Sequence, residues 1–502
     1  MPNLIWKGKN QHLNSSSLKY NFKDSFQKSK SQISSTLDRY NHNFKERNNK
    51  KVWNNLLFCG ENEQVMRFLL NYFSGKINLI YIDPPFATGG SFSYKIYIGP
   101  NSFNVSAKAY SDTWKEGIES YLNFLYVRLI LMKKLLAENG SIYLHLDWHV
   151  NHYVKIILDE IFGNENFRNE IIWSYPAASV QTRRFFIRSY DTILFYTKSE
   201  NYVFNDDPNI YMEYSDRVKN ALKRDENGIF YYRGGSHDGK KLSRKVYVEE
   251  NGIFPRDAWN DIPYIRANTT EYQGFSTQKP ERLLKRIILA SSSENDLVAD
   301  FFCGTGTTLI VAEKLSRHWI GCDLANHAVH ITRKRLLDIS KSNDIFSWNE
   351  PYGSSYQPFE VISLNNKCNN NFIPKSFISE NIGNNLKIKD KPDFDIDFSI
   401  DHKKVCIELK SYSLPYIKSI SKKMRARVTS FYDLIDYWAI DFNYDENGFK
   451  NEWYSYRTPK NREIDLVSAP YTYEKSNKYH IQVKVINIFG QESIKDYIIN
   501  IK

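Results

Sequence analysis

An α/β fold built on a doubly wound, largely parallel sheet is predicted for this chain, interrupted by an insert and followed by a mainly β domain. Three observations predict it. Short continuous apolar runs, Ile77–Ile82 and Leu297–Phe301 among them, suit strands buried on both faces. These runs alternate with stretches of helical apolar spacing, which is how a parallel sheet is written in sequence. A glycine-rich junction, Cys303-Gly304-Thr305-Gly306, follows the second run and leads straight into a helical stretch.

The 502 residues exceed one hydrophobic core, so several domains are expected. Residues 1–51 are rich in Lys, Arg, Ser and Asn with scattered apolar positions, and read as a basic N-terminal extension. Residues 52–167 form the first part of the α/β domain. It comprises a helix over Glu63–Phe73, the strand Ile77–Ile82, a helix over Tyr121–Leu136 ending near Asn139-Gly140, the strand Ser141–Leu146 and a helix over Val150–Phe162 stopped by Gly163. Between 168 and 270 the regularity fails. That segment is rich in Tyr, Phe, Arg and Lys, with turn pairs at Asp207-Pro208, Asn227-Gly228, Asp238-Gly239 and Asn251-Gly252, and reads as an insert. Residues 271–340 resume the α/β pattern with a helix over Glu281–Leu289, the strand Leu297–Phe301, a helix over Thr307–Leu315, the strand His318–Cys322 and a helix to Leu337. Residues 350–502 form a separate β-rich domain with strands at Val405–Leu409, Tyr437–Phe442 and Tyr479–Ile488 and a helix around Val428–Ile435.

A formal net charge of +11 favours an anionic partner, and nucleic acid is the commonest large one. Five scattered cysteines fit neither a zinc signature nor a disulfide framework, so no metal site is expected and a reducing cytoplasm fits best. No stretch approaches the ~20 apolar residues of a membrane span, and the first residues lack a signal-peptide core.

At the glycine junction the backbone can approach a ligand closely while the helix start presents free N–H groups. Asp323 follows at the end of the next strand, where a carboxylate would grip ribose hydroxyls. A dinucleotide fingerprint needs a third glycine at 309, where this chain has Leu. With Asp300 placed before the loop, a nucleoside bearing a short amino-acid tail is favoured over a pyrophosphate. The candidate cofactor residues here are Asp300, Phe302, Cys303, Gly304, Thr305, Gly306, Thr307 and Asp323.

The second motif is Asp83-Pro84-Pro85-Phe86, at the carboxyl end of the first strand. Two prolines remove two N–H donors and fix the chain, leaving the Asp83 carboxylate and the Pro84 carbonyl as a rigid pair of acceptors beside an aromatic ring. An exocyclic amine of adenine or cytosine is a poor nucleophile because its lone pair is delocalised. Two acceptors aimed at its two hydrogens would push it towards tetrahedral geometry and aim the lone pair at an electrophile. Phe86 could stack on a base that has left the duplex.

These motifs, in this order, resemble those of the β-class amino-methylating DNA methyltransferases, from about Leu56 to Leu337. The resemblance implies a Rossmann-like methyltransferase sheet with S-adenosylmethionine as cofactor and double-stranded DNA as substrate. It makes Asp83, Pro84, Pro85 and Phe86 the catalytic motif, Asp300 to Thr308 the methionine-binding loop and Asp323 the ribose acid. Thr277-Gln278-Lys279-Pro280-Glu281 becomes the segment closing over the cofactor, adding Thr277 and Lys279 to the cofactor set. Gly140–Asp147 matches a family strand, while Phe301 stands where many members have proline. In the family, Asp-Pro-Pro-Phe goes more often with adenine N6 than with cytosine N4. The resemblance also implies a restriction-modification or phage-defence setting, with a separate restriction endonuclease as partner.

The insert between the motifs is the expected target-recognition domain. Arg183, Arg184, Arg188 and Arg233 are its candidate DNA contacts, with Trp173, Tyr175, Phe185 and Phe186 as aromatics able to stack or wedge. In the tail, Pro392-Asp393 with Glu408-Leu409-Lys410 has the residue types of a magnesium-dependent nuclease, and the last strands faintly resemble immunoglobulin-like domains of the polycystic-kidney-disease type. Three alternatives therefore stand beside adenine methylation: cytosine-N4 methylation, a bifunctional methyltransferase-nuclease and a non-catalytic DNA-binding subunit.

Overall fold

The computed structural model describes residues 4–6, 9, 21–26, 53–100, 103–114, 117–176, 184–237, 240–249, 252–364, 392–415, 417, 420, 422–445 and 448–502. Arg183 and most of the N-terminal extension lie outside the described residues.

One sheet of eleven strands organises the chain. In spatial order its strands are Ala258–Trp259, Phe167–Ser174, Tyr190–Thr197, Leu136–Leu146, Ile77–Ile82, Leu297–Asp300, His318–Asp323, Asn55–Cys59, Phe359–Ser363, Asn21–Phe26 and Phe449–Lys450. The six from Leu136–Leu146 to Phe359–Ser363 are mutually parallel. Their runs are apolar because helices cover both faces, and each fully buried Leu or Ile there contributes about 1.5–3 kcal/mol. On one face lie the helices Asn62–Phe73, Ile118–Leu135 and Asn151–Phe162, whose Val65, Leu69, Leu125 and Val154 share a core with Ile80 and Ile82. On the other lie Glu281–Ser291, Thr307–Lys314 and Asn326–Leu337, packed with Leu79, Tyr81 and Val298.

The predicted elements of the α/β domain form with boundary differences of a few residues. The helix expected to run to Leu136 ends at Leu135, and the next strand starts directly at Leu136, where it pairs with Ile77. Two stretches of the predicted insert belong to the central sheet. Phe167–Ser174 and Tyr190–Thr197 extend it as antiparallel strands beyond Leu136–Leu146. The rest of the insert carries its own three-stranded sheet, Lys223–Asp225, Gly228–His237 and Lys240–Val248.

Residues 393–501 contain two antiparallel sheets. Asp393–Asp401, Lys404–Ser413 and Tyr471–Thr472 make one; Trp453–Tyr456, Ile435–Asp441, Asn477–Asn487 and Glu492–Ile501 make the other. Phe394, Ile407, Trp438 and Val483 fill the core between them. The expected helix around Val428–Ile435 is instead a single 3-10 turn, Phe431–Leu434, with Ser430 and Asp433 forming a capping box before the strand starts at Ile435. This domain is fastened to the α/β domain through Asp436, which pairs with Lys334 and lies 2.9 Å from His330 Nε2, both on the helix Asn326–Leu337. Among the described residues, no helix is long and apolar enough to cross a membrane.

Candidate active site

Ile77–Ile82 and Leu297–Asp300 are hydrogen-bonded neighbours, with Leu79 opposite Val298 and Ile80 opposite Ala299. Their carboxyl ends therefore emerge side by side, and the two motifs, far apart in the chain, meet at one edge of the sheet. That edge is where ligands of open α/β sheets collect.

The glycine loop is held from below. Asp300 Oδ1 accepts from Phe302 N at 2.9 Å and Oδ2 from Thr308 Oγ1 at 2.5 Å. Asp323 accepts from Gly304 N and Ala325 N, both at 2.9 Å. Arg335 donates to the Thr305 carbonyl at 2.8 Å and to Glu281 at 3.0 Å, and Glu281 also pairs with Lys314 at 2.7 Å. This buried network ties the loop to the three helices behind it. Gly306 has φ +76°, and a Cβ there would stand 2.4 Å from Thr332 Cγ2, so only glycine fits. A Cβ on Gly304 would meet open space, the gap through which a ligand can reach the backbone. Cys303 is buried, and that burial with Asp323 and Asp300 pushes its thiol far up, away from the thiolate form.

The Asp-Pro-Pro-Phe segment is held by a residue that sequence reasoning missed. Asp112 is buried, and its two oxygens collect five hydrogen bonds. Oδ2 accepts from Phe86 N at 3.2 Å, Thr88 N at 2.8 Å and Thr88 Oγ1 at 2.9 Å. Oδ1 accepts from Ala87 N at 3.0 Å and Trp114 Nε1 at 3.1 Å. The carboxylate thus closes a backbone nest in which Ala87 adopts φ +55°. No local motif marks Asp112, because its partners lie across an intervening hairpin.

Asp83 is mostly buried; its Oδ2 accepts from Lys279 Nζ at 2.7 Å, while its Oδ1 is buried with no hydrogen-bond partner among the described residues. The Lys279 ammonium also stands 5.5 Å from the centroid of the Phe86 ring. Lys279, expected with the cofactor set, reaches the Asp83 carboxylate of the other motif; Thr277 lies half-buried on the same segment. Beneath Phe86, at 6.2 Å between centroids and with its plane nearly parallel, lies the His145 ring. His145 is fixed by Tyr81 OH at Nδ1 and Asp191 Oδ2 at Nε2, both at 3.0 Å, and Tyr175 OH donates to Asp191 Oδ1 at 2.9 Å. Burial alone would raise the Asp191 carboxyl, but His145, Lys279 and Tyr175 bring it below the usual range. Trp173 is buried, its indole donating to the Ile262 carbonyl and its ring standing edge-on to His145, so it is a support of this cluster and not an exposed stacking surface.

Three carboxylates converge here. The Asp300 carboxyl is pushed up to about 7 by burial, with Asp83 and Asp323 adding to the shift; burial likewise raises Asp323. An acidic cluster, an opening at Gly304 and an orphaned acceptor at Asp83 fit a cationic nucleoside lying between the two motifs.

The DNA candidates are spread out. Arg184 is exposed, the Arg188 guanidinium lies 3.8 Å over the Trp148 ring, and Arg233 is exposed on the separate small sheet, opposite Arg244. Glu408 and Lys410 form an exposed ion pair at 2.7 Å on a hairpin of the C-terminal domain. Among the described residues, no group of three or more His, Cys, Asp or Glu side chains is placed to hold a metal.

Comparison with known proteins agrees with this geometry. Residues 77–334 match the family described as DNA methylase, of the N6/N4 methyltransferase type. The chain is 31% identical over 304 residues to the type II methyltransferase M.EcaI of Enterobacter cloacae, covering 52% of this chain and 65% of that protein, which is less than two thirds of its length. It is 29% identical over 261 residues to the DNA adenine methyltransferase YhdJ of Escherichia coli K12, covering 52% and 76%. A probable type III restriction-modification enzyme HindVI Mod subunit of Haemophilus influenzae is 24% identical over 393 residues, covering 57% and 50%. The family match takes in more than half of the chain and holds both motifs, so this chain belongs to the N6/N4 DNA methylase family.

Proposed function

We propose that this protein methylates the N6 amino group of adenine in double-stranded DNA, using S-adenosylmethionine, as the modification component of a restriction-modification system with a separate restriction endonuclease. The observation that carries the reading is the orphaned, buried Asp83 Oδ1, set beside an acidic, glycine-lined cofactor cleft. The loop Asp300–Thr307 and Asp323 would hold the cofactor, and Gly304 would let it lie against the backbone. When bound, S-adenosylmethionine supplies a methyl group on a sulfonium, which is electrophilic enough to need no covalent enzyme intermediate.

The chain's own residues do the rest. Asp83 accepts one N6 hydrogen and the Pro84 carbonyl the other, so the lone pair leaves conjugation with the ring and turns towards the cofactor. Phe86, backed by His145, provides the stacking face. Lys279 keeps the buried Asp83 charge paired until the base arrives. The relative named an adenine methyltransferase and the Asp-Pro-Pro-Phe tetrad favour adenine, and the Mod-subunit relative favours an endonuclease partner. On this reading the protein works on cellular DNA in a bacterial-type cytoplasm.

The test is transfer of a tritiated methyl group to genomic DNA by wild type and Asp83→Ala, followed by mass spectrometry of the digested nucleosides. N6-methyladenine formed only by wild type is expected. N4-methylcytosine would move the assignment to the other amine, and equal incorporation by both proteins would remove Asp83 from the chemistry.

A further inference from the structure

Between the sheet strands Phe167–Ser174 and Tyr190–Thr197 the chain leaves the sheet and returns, and the returning stretch is Arg184-Phe185-Phe186-Ile187-Arg188. Phe186 is 99% exposed and Phe185 57%, and Ile187 is exposed too. Water is a poor environment for three such residues in a row, and nothing in the catalytic chemistry above uses them. The base of the stretch is fixed. Tyr175 N donates to the Ser189 carbonyl at 2.9 Å. The Arg188 guanidinium lies 3.8 Å over Trp148 and 5.5 Å from the Phe185 centroid, so the stretch is braced where it meets the strand, while Phe186 stays exposed.

Its position relative to the base pocket is set by the chain itself. Asp191, which orients the His145 ring under Phe86, is the second residue of the strand that this stretch enters. At no more than ~3.6 Å per residue, the five steps from Phe186 to Asp191 keep the tip within about 18 Å of the pocket wall. A duplex bound with its target base at Phe86 therefore lies within reach of this exposed stretch. Arginines on both sides of the apolar tip suit phosphates flanking an opened base step.

We propose that Phe186, backed by Phe185, is the wedge that enters the base stack when the target nucleotide leaves it, with Arg184 and Arg188 engaging the neighbouring phosphates. The occupant of this surface is thus duplex DNA, and the assignment rests on the function proposed above. The wedge replaces the stacking that the extruded base gives up and slows its return. Its removal penalises only substrates in which a paired, stacked base has to be displaced.

The experiment uses duplexes carrying the site mapped by modified-base sequencing in cells expressing the protein. One duplex has the target normally paired; the other has an abasic site opposite it. On the paired duplex, Phe186→Ala is expected to lower single-turnover methylation by about tenfold or more, the order set by the loss of one stacked base. On the abasic duplex it should come within about threefold of wild type, because little pairing is left to break. Phe186→Trp should keep most of the wild-type rate on both. Unchanged thermal unfolding of Phe186→Ala, expected for a side chain in water, separates the effect from misfolding. Equal rates for Phe186→Ala and wild type on the paired duplex would overturn the wedge, as would equal losses on both duplexes. A wild type that methylates neither duplex would overturn the function on which the wedge rests, and the wedge with it.

Discussion

Replacing Asp112 with Asn tests how the Asp-Pro-Pro-Phe segment is held, because the change is nearly isosteric and alters no residue of either motif. The carboxylate accepts from three backbone N–H groups, one hydroxyl and one indole. An asparagine keeps one accepting oxygen and turns the other position into a donor. With its carbonyl towards Phe86 and Thr88, its NH2 faces Ala87 N and Trp114 Nε1; flipped, it faces Phe86 N and Thr88 N. Either way two buried donors lose their acceptor, at about 1–3 kcal/mol each, so the Phe86–Thr88 nest loses about 2–6 kcal/mol. The nest relaxes before the whole protein unfolds, since Ala87 at φ +55° is held there only by its surroundings. A displacement of about 1 Å at reacting groups costs about 100-fold in rate. We therefore expect single-turnover methylation by Asp112→Asn to fall by about 100-fold or more, while cofactor affinity, measured by calorimetry, stays within about threefold of wild type. A variant that methylates within fivefold of wild type would refute the positioning role (fivefold is roughly 1 kcal/mol, less than one lost donor).

Other predictions rest on separate features. Gly306→Ala combines a left-handed φ with a 2.4 Å approach to Thr332, so cofactor binding should weaken by about tenfold or more in calorimetric titration, with a lowered melting temperature. Asp300, pushed up to about 7 by burial, gains a proton as pH falls through neutrality and so weakens as the acceptor that braces the loop at Phe302 N and Thr308 Oγ1; cofactor affinity should rise from pH 6 to pH 8 in equilibrium titrations. Asp436→Asn leaves the buried Lys334 ammonium without its carboxylate, and unfolding should show a loss of about 3–5 kcal/mol, concentrated in the coupling of the C-terminal domain. The same cluster should weaken in acid. Burial holds the folded His330 imidazole down to about 4, whereas the unfolded chain takes up that proton near 6.5. Asp436, which burial would raise, is held well below the carboxylate range by Lys334 and His330. Both contributions are complete at pH 7. The histidine's is lost as pH falls from about 6.5 towards 4 and the carboxylate's below about 3.8, which melting temperatures across that range would follow.

What could be read from the residues was what is local. Asp83 and the glycines stand at the ends of apolar runs, so a strand, its terminus and the ligand edge follow from a few neighbouring positions. Asp112 does not follow, because its meaning lies in backbone donors met across a hairpin. Nor does the meeting of Lys279 with Asp83, which depends on how the segment before the helix Glu281–Ser291 folds over the sheet. The strands Phe167–Ser174 and Tyr190–Thr197 carry polar and aromatic residues among their apolar ones because one of them lies near the sheet's border, and they merge in composition with the insert around them. The 3-10 turn at Phe431–Leu434 shares its apolar residues with a helix, and Ser430 with Asp433 caps either.

The pairing of Ile77–Ile82 with Leu297–Asp300 has one more consequence. Neighbouring strands lie about 4.8 Å apart whatever the chain does between them. The spacing of the two strand ends that carry Asp83 and the glycine loop is therefore set by a backbone ladder. The small sheet Lys223–Val248 pairs with neither strand, so its sequence can change without altering that spacing.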